Sequence, residues 1–313
     1  MLRKFLLALI LGIFLAAIKV NAIAAEESVP AKEAPEAEEE WYPPSAGPVT
    51  TWTAPMCAKG QFLIQPFFFY NRTRGTFDAE GKYRSLNKGD RKYQYQEELF
   101  MEYGVTDRLA VSADIFYQEN YVREDGASAH SSGFADSYLY LRYCMLEEKK
   151  WLPQVTGLLQ VKMPMGKYQH LNPDKLGADA MGTGSWDPAF GAIITKRIKP
   201  FIFHADAVFS FPQKVMIDKA KTRYAPYANY DFGVEYFLPK GFNLLLEANG
   251  YLQGDTWSDG GRTPGTSTQY LNICPGIGWS NDKIQTLIAY QRTLVGKNMD
   301  ANDSVILTCV YTF

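Results

Sequence analysis

Past its first two dozen residues the chain lacks any uninterrupted apolar stretch of the ~20 residues that a membrane-spanning helix needs, although 46% of its 313 residues are hydrophobic. A helical membrane protein is thereby excluded. Charge of one sign is lacking too: 32 Lys and Arg stand against 34 Asp and Glu, a net charge of -2. No broad basic field points to nucleic acid. Histidine is confined to His130, His170 and His204, and the four cysteines, Cys57, Cys144, Cys274 and Cys309, show no C-x-x-C spacing. Metal-ligand spacings, a G-x-S-x-G elbow and a phosphate-cradling glycine loop are all missing. These absences leave no metal, no cofactor and no catalytic residue to assign.

The N-terminus carries Arg3 and Lys4, an apolar run from Phe5 to Ile18 and small residues at Ala22, Ala24 and Ala25. That order is the layout of a secretory signal peptide, so residues 1–25 are expected to be removed by cleavage between Ala22 and Ala25. No cysteine lies beside that site to accept a lipid. Residues 26–59 begin Pro- and Glu-rich, with the run Glu38, Glu39, Glu40. This segment is expected to be a disordered periplasmic tail, the alternative place for it being inside the domain that follows. An exported chain is free to oxidise its cysteines, but sequence assigns no pairs; most are expected to be small packing residues.

From residue 60 to 313 the chain is rich in Tyr and Phe mixed with Gly, Asn, Asp and Thr, a usage that suits strands. Stretches of period-2 alternation follow one another. Phe201, Phe203, Ala205, Ala207, Phe209 and Phe211 share one face, as do Tyr230, Phe232, Val234 and Tyr236, and then Phe242, Leu244, Leu246, Ala248 and Leu252. The alternate positions, among them His204, Asp206, Asp231, Glu235 and Glu247, are polar. A soluble sandwich would alternate in the same way, so the connections carry the distinction. Tight links at 106–108, 199–200, 239–241 and 281–283 alternate with longer polar segments near 78–90, 123–132, 166–185, 212–222, 255–266 and 296–302. Short periplasmic turns alternating with long outer loops are the pattern of a transmembrane barrel. The expectation is an all-β, antiparallel, up-and-down transmembrane β-barrel of about twelve strands in the outer membrane of a Gram-negative bacterium. Trp186, Tyr236, Tyr103, Trp279 and Phe313 are placed to form interfacial girdles. The last strand puts Val305, Leu307, Cys309, Tyr311 and Phe313 on one face. Tyr311 and the terminal Phe313 resemble the signal read by the outer-membrane assembly machinery.

Four segments carry a more specific likeness: Leu99-Phe-Met-Glu-Tyr-Gly-Val-Thr-Asp-Arg-Leu-Ala-Val-Ser112, Gly133-Phe-Ala-Asp-Ser-Tyr-Leu-Tyr-Leu-Arg-Tyr143, Gln160-Val-Lys-Met-Pro-Met-Gly166 and Gly184-Ser-Trp-Asp-Pro-Ala-Phe-Gly-Ala-Ile-Ile-Thr-Lys-Arg197. In this order they resemble the MetA-pathway of phenol degradation family, whose members are often called transporters. The resemblance implies an outer-membrane barrel that passes small solutes, aromatic or otherwise hydrophobic, and names no single substrate. The long acidic N-terminus and the cysteines depart from the family pattern.

With the apolar face toward lipid, the lumen is expected to receive Glu102, Asp136, Arg142, Lys162, Asp187, His204, Asp206, Asp231, Glu235 and Glu247, because a basic residue at mid-membrane costs ~2 to 4 kcal/mol. These residues read either as a solvated, salt-bridged lining or, for Asp136, Arg142, Lys162 and Asp187, as a selectivity constriction. Twelve strands leave only a slender passage. The loop at 166–185 is expected to cover the outer mouth. Two other function classes stay open: a closed structural or surface-interaction barrel, and a hydrolase. The hydrolase is the weaker, because His130 lies next to Ser131 and Ser132 in a predicted loop, where neighbours seldom face each other. His204 and Asp206 likewise have no serine presented to them, and a nucleophile needs a base within hydrogen-bond reach. The expected partners are outer-membrane lipid, the assembly machinery and a small solute, with the barrel a monomer.

Overall fold

The computed structural model describes residues 41–281 and 283–313. The expected signal peptide and the Glu-rich part of the tail lie outside the described residues. Eighteen strands follow one another among the described residues. Twelve of them form the wall: β1 (Phe62–Phe77), β3 (Arg91–Thr106), β4 (Leu109–Glu124), β6 (Ser137–Leu146), β7 (Gln154–Met163), β8 (Asp187–Ile198), β9 (Phe201–Ser210), β12 (Tyr227–Phe237), β13 (Phe242–Gln253), β16 (Thr268–Ser280), β17 (Ile284–Lys297) and β18 (Met299–Thr312). Each pairs antiparallel with its neighbours, and β18 pairs with β1, so that Leu63 lies opposite Thr312 and the sheet closes. Closure leaves no unpaired edge, the condition a sheet must meet inside hydrocarbon. No helix among the described residues is long and apolar enough to cross a membrane, a fact that says nothing of strands.

The wall strands have ten to sixteen residues, against the ~9 to 11 that cross a bilayer. The excess projects on the side of the long connections, where β2 (Tyr83–Ser85), β5 (Ala127–Phe134), β10 (Val215–Ile217), β11 (Ala220–Arg223), β14 (Trp257–Ser258) and β15 (Gly261–Arg262) extend the hairpins. Two expected outer loops are strand instead. At 123–132 the β4–β5 hairpin turns on Asp125 and Gly126, both at positive φ (49° and 84°); an Asp-Gly pair is what a tight two-residue hairpin turn favours. At 296–302 strands β17 and β18 meet around Asn298, whose φ of 49° closes the turn.

The period-2 reading of the wall matches the structure. Phe201, Phe209, Tyr230, Phe232, Leu244, Leu246, Val305 and Leu307 all lie on the exposed outer surface, as do Tyr103, Trp186, Tyr236, Trp279 and Phe313 toward strand ends. All four cysteines are free thiols. Cys57, Cys144 and Cys274 are buried packing residues and Cys309 sits half-buried on the lipid-facing strand.

The expected periplasmic tail ends earlier than residue 59. Residues 45–58 run inside the barrel without secondary structure of their own, and Val49, Thr51, Ala54 and Cys57 are buried there. The reason is compositional: from Trp41 to Ala58 the sequence contains no charged side chain, so this stretch can be desolvated at little cost.

Candidate functional site: a plugged lumen

The plug is held by side chains from several wall strands. Because it adds no strand to the sheet, its backbone N–H groups must find other acceptors. On β13, Glu247 accepts the N–H of Val49 on one oxygen (3.0 Å) and the N–H groups of Thr50 (2.8 Å) and Thr51 (2.7 Å) on the other. The hydroxyls of Thr50 and Thr51 donate to that second oxygen as well. Asp206 on β9 accepts Trp52 N–H at 2.9 Å. Glu102 on β3 accepts Cys57 N–H at 2.8 Å and forms a buried ion pair with Arg142 on β6. Arg142 in turn donates to the carbonyls of Thr53 and Pro55 and lies 5.1 Å from the Trp52 ring centroid. Gly104 lets the chain leave: a Cβ there would fall 2.0 Å from the Ala58 carbonyl oxygen.

Apolar contact completes the seating. Val49 packs with Leu245, Cys274, Leu287, Ala289 and Ile306, while Ala54 packs with Tyr140, Leu158, Ile193 and Val208, Trp52 lying against the second group. The lumen is therefore apolar over part of its circumference, where the sequence suggested a polar lining throughout.

At the periplasmic end, Ala54 N–H donates to Thr195 Oγ1 (2.8 Å), which lies 3.1 Å from His204 Nδ1, and His204 Nε2 lies 3.0 Å from Glu235. With Nδ1 accepting the Thr195 hydroxyl and Nε2–H donating to Glu235, every member of this chain is satisfied. The order hydroxyl, imidazole, carboxylate has the shape of a hydrolytic triad. Thr195 is wholly buried, however, and its oxygen is already committed to the plug, so the array works as an anchor. His130 lies 2.5 Å from Glu119 and makes no hydrogen bond to its two serine neighbours.

A second cluster lies toward the outer mouth. Lys162 on β7 reaches Asp187 at 2.6 Å, Thr183 at 2.5 Å and Asp136 at 3.6 Å. Asp187 also accepts from Ser185 and Tyr227, and Asp136 accepts Thr183 N–H. The loop at 166–185 thus turns inward instead of merely covering the mouth: Ala178 is buried, and its carbonyl accepts from Asn120. Asp179 is held below the usual carboxylate range: its burial works against this, but Lys167 and Asn172 N–H outweigh it.

Of the ten charged positions assigned to the lumen, the structure turns all inward but divides them. Asp136, Lys162 and Asp187 form the outer cluster, whereas Arg142 belongs with Glu102 to the plug seat, so the four do not make one ring. Between these sets Asp206 and Asp231 face each other across β9 and β12.

Comparison with known proteins agrees with this architecture. A family model with the description "Putative MetA-pathway of phenol degradation" matches residues 82–303, from the first outer hairpin into β18. The chain belongs to this family. An outer membrane channel from Pseudomonas putida F1 has a similar structure, with a TM-score of 0.70 at 15% identity, covering 85% of this chain and 100% of that one. The NanC porin is similar at a TM-score of 0.50 and 9% identity, over 79% of this chain and 98% of the porin. No curated protein matches. At such identities the likeness shows the fold, an outer-membrane barrel.

Within this family member, sequence reasoning missed Thr50, Thr51 and Trp52 of the plug, Thr195 beneath it and the lumenal tyrosines. The available signal was the abrupt end of charge at Glu40, followed by a Pro- and Thr-rich stretch around Trp52. That composition separates a segment to be buried from the solvated run before it.

Proposed function

We propose that this protein is a gated outer-membrane channel for a small solute, aromatic or otherwise hydrophobic, and that residues 43–58 are its gate. One observation carries the reading: the plug is held by side-chain hydrogen bonds and small apolar contacts, while the twelve-stranded wall closes without it. A segment so attached can leave without opening the sheet. The family's association with phenol degradation and the description of the Pseudomonas relative as a channel support the solute class and the activity. The Glu247 carboxylate, which no lumenal cation neutralises, favours passage of cations over anions. Export with cleavage between Ala22 and Ala25, recognition of Tyr311 and Phe313 by the assembly machinery and a monomeric state belong to the same reading. Catalysis has no support in the geometry of His130 or His204.

The test is planar-bilayer recording of the refolded full chain beside a variant lacking residues 43–55. Brief, cation-selective openings in the full chain and sustained, larger ones in the variant are expected. A folded barrel that is silent in both forms would sink the channel reading and favour a closed surface-interaction barrel.

A further inference from the structure

On the outward face of β1, β3 and β4 a group of arginines stands where the wall leaves the membrane. The register aligns Arg72 with Tyr93 and Tyr93 with Tyr121, and two positions further out Arg91 lies directly opposite Arg123. Directly opposed residues have Cβ atoms ~5 Å apart, and diagonal neighbours such as Arg72 and Arg91 are ~7 to 8 Å apart. All three arginines are exposed, while Asn71 and Thr73 on either side of Arg72 bond the inward-facing Gln94 and Asn302, and Val122 beside Arg123 is buried. The three side chains therefore point out of the barrel. Among the described residues none of them forms an ion pair. The neighbouring carboxylates are engaged: Glu119 lies 2.5 Å from His130, Asp90 accepts the Asp125 N–H, and Asp303 holds Arg74 at 2.9 Å and Arg292 at 3.8 Å. Like charges directly opposite each other destabilise a sheet, so Arg91 and Arg123 call for an anion that the chain does not supply.

The aromatic residues beneath them fix their height. Tyr103 and Tyr93 are ten positions apart on β3, about 26 Å along the membrane normal at ~3.4 Å per residue and a tilt of ~40°. That span equals the apolar band of ~25 Å, so with Tyr103 at the periplasmic boundary Tyr93 marks the outer one. Tyr93 stacks on Tyr121 at 4.6 Å, and Tyr70 lies 5.4 Å from Tyr95, which in turn stacks on Phe68 at 6.1 Å. Such rings sit at headgroup level, apolar below and wet above. The arginines just beyond them face the headgroups of the outer leaflet, not its acyl chains. A guanidinium fork matches phosphate oxygens two at a time, and a phosphomonoester brings nearly two negative charges and three acceptor oxygens. A phosphodiester carries a single charge. We propose that Arg72, Arg91 and Arg123 form a binding site for the phosphomonoester of an outer-leaflet glycolipid, its sugar against Tyr93 and Tyr121 and its acyl chains along Phe68 and Tyr95.

The experiment is native mass spectrometry of the refolded full chain released from detergent micelles, read as the fraction of protein that carries one lipid. The probes are diphosphoryl lipid A, the same lipid after enzymatic removal of its phosphates, and phosphatidylglycerol. Diphosphoryl lipid A should be retained at one per chain, and the other two about tenfold more weakly. Arg91→Gln should weaken its retention by about tenfold, the loss expected when one charge-assisted hydrogen bond is removed. Arg123→Gln tests the same pair from β4 if Arg91→Gln does not reach the folded form, judged by heat-modifiable gel migration. Lys150→Gln, in the exposed link between β6 and β7 at the periplasmic end, removes a cation elsewhere and should leave retention unchanged. Equal retention of the dephosphorylated lipid or of phosphatidylglycerol, displacement by millimolar inorganic phosphate, wild-type retention in a folded arginine variant, or an equal loss in Lys150→Gln would each overturn the assignment. Retention is read without conduction. A silent barrel that keeps the lipid leaves this site standing, and a conducting barrel that does not keep it removes the site alone.

Discussion

Replacing Glu247 by Gln probes the plug at its most densely bonded point. The carboxylate accepts five hydrogen bonds from Val49, Thr50 and Thr51, four of them on one oxygen. A glutamine places a single carbonyl oxygen there. If it serves the four donors, its NH2 faces Val49 N–H and strands that donor, at about 1 to 3 kcal/mol. The other four bonds lose their charge assistance, which roughly halves the strength of each. Burying a neutral amide instead of a carboxylate returns part of this loss. A net loss of about 2 to 3 kcal/mol from the seated plug follows, or roughly a 30- to 150-fold shift toward the released state, since about 1.4 kcal/mol is a factor of ten. In single-channel recording the open probability should rise by that factor while conductance per opening stays the same. If a folded Glu247→Gln barrel opens no more often than the wild type, the plug is not the gate.

Other outcomes follow from the same geometry. The Cys57 thiol is pushed up to about 12, first by its burial and then by the neighbouring Glu102 carboxylate. It should react slowly with a polar maleimide at neutral pH, and Gly104→Ala, which drives a methyl into the Ala58 and Cys57 carbonyls, should accelerate site-resolved labelling by tenfold or more, about the gain expected from freeing a thiol near its ordinary value; unchanged labelling would refute the crossing point. Lys162→Met leaves Asp136 and Asp187 buried without a counter-charge, a loss of about 3 to 5 kcal/mol, and should expose the 166–185 loop to protease. Resistance equal to wild type would show the loop to be held elsewhere. Asp255 is held below the usual carboxylate range: its surroundings raise it, but the N–H groups of Ser267 and Thr266 and the Arg262 guanidinium outweigh this. A depressed carboxylate stabilises above its unfolded value and loses that contribution as pH falls through the folded one. The protection of the Ser267 amide, its exchange rate taken against the intrinsic rate at each pH, should therefore be high at pH 7 and fall below about pH 3.9, the ordinary aspartate value, whereas protection unaltered down to pH 2 would contradict the assignment.

The wall could be read from the chain because each wall residue needs only its strand to declare its side. Phe242, Leu244 and Leu246 face outward for the same reason that Asn243 and Glu247 face inward, and period 2 is local information. Tight links could be read where Pro, Gly, Asn or Asp sat between two alternating runs. They were missed at Asp125-Gly126 and at Asn298, where polar residues around a tight turn imitate a loop. Strand length explains why: β4 and β17 continue beyond the membrane, and outside it the wall has no need of an apolar outer face. Hydropathy therefore fades before the strand ends.

The interior obeys a different rule. Glu247 finds its partners 196 to 198 positions away and Asp206 finds Trp52 at 154, so no spacing in the sequence links them. What sequence does supply is a list of carboxylates that must face inward together with a charge-free segment that must go somewhere. A barrel of twelve strands is too wide to be filled by its own side chains and too narrow to leave them all in bulk water. Joining those two facts predicts that the segment without charges supplies donors to the carboxylates without cations. Glu247 and Asp206 satisfy that rule with plug N–H groups.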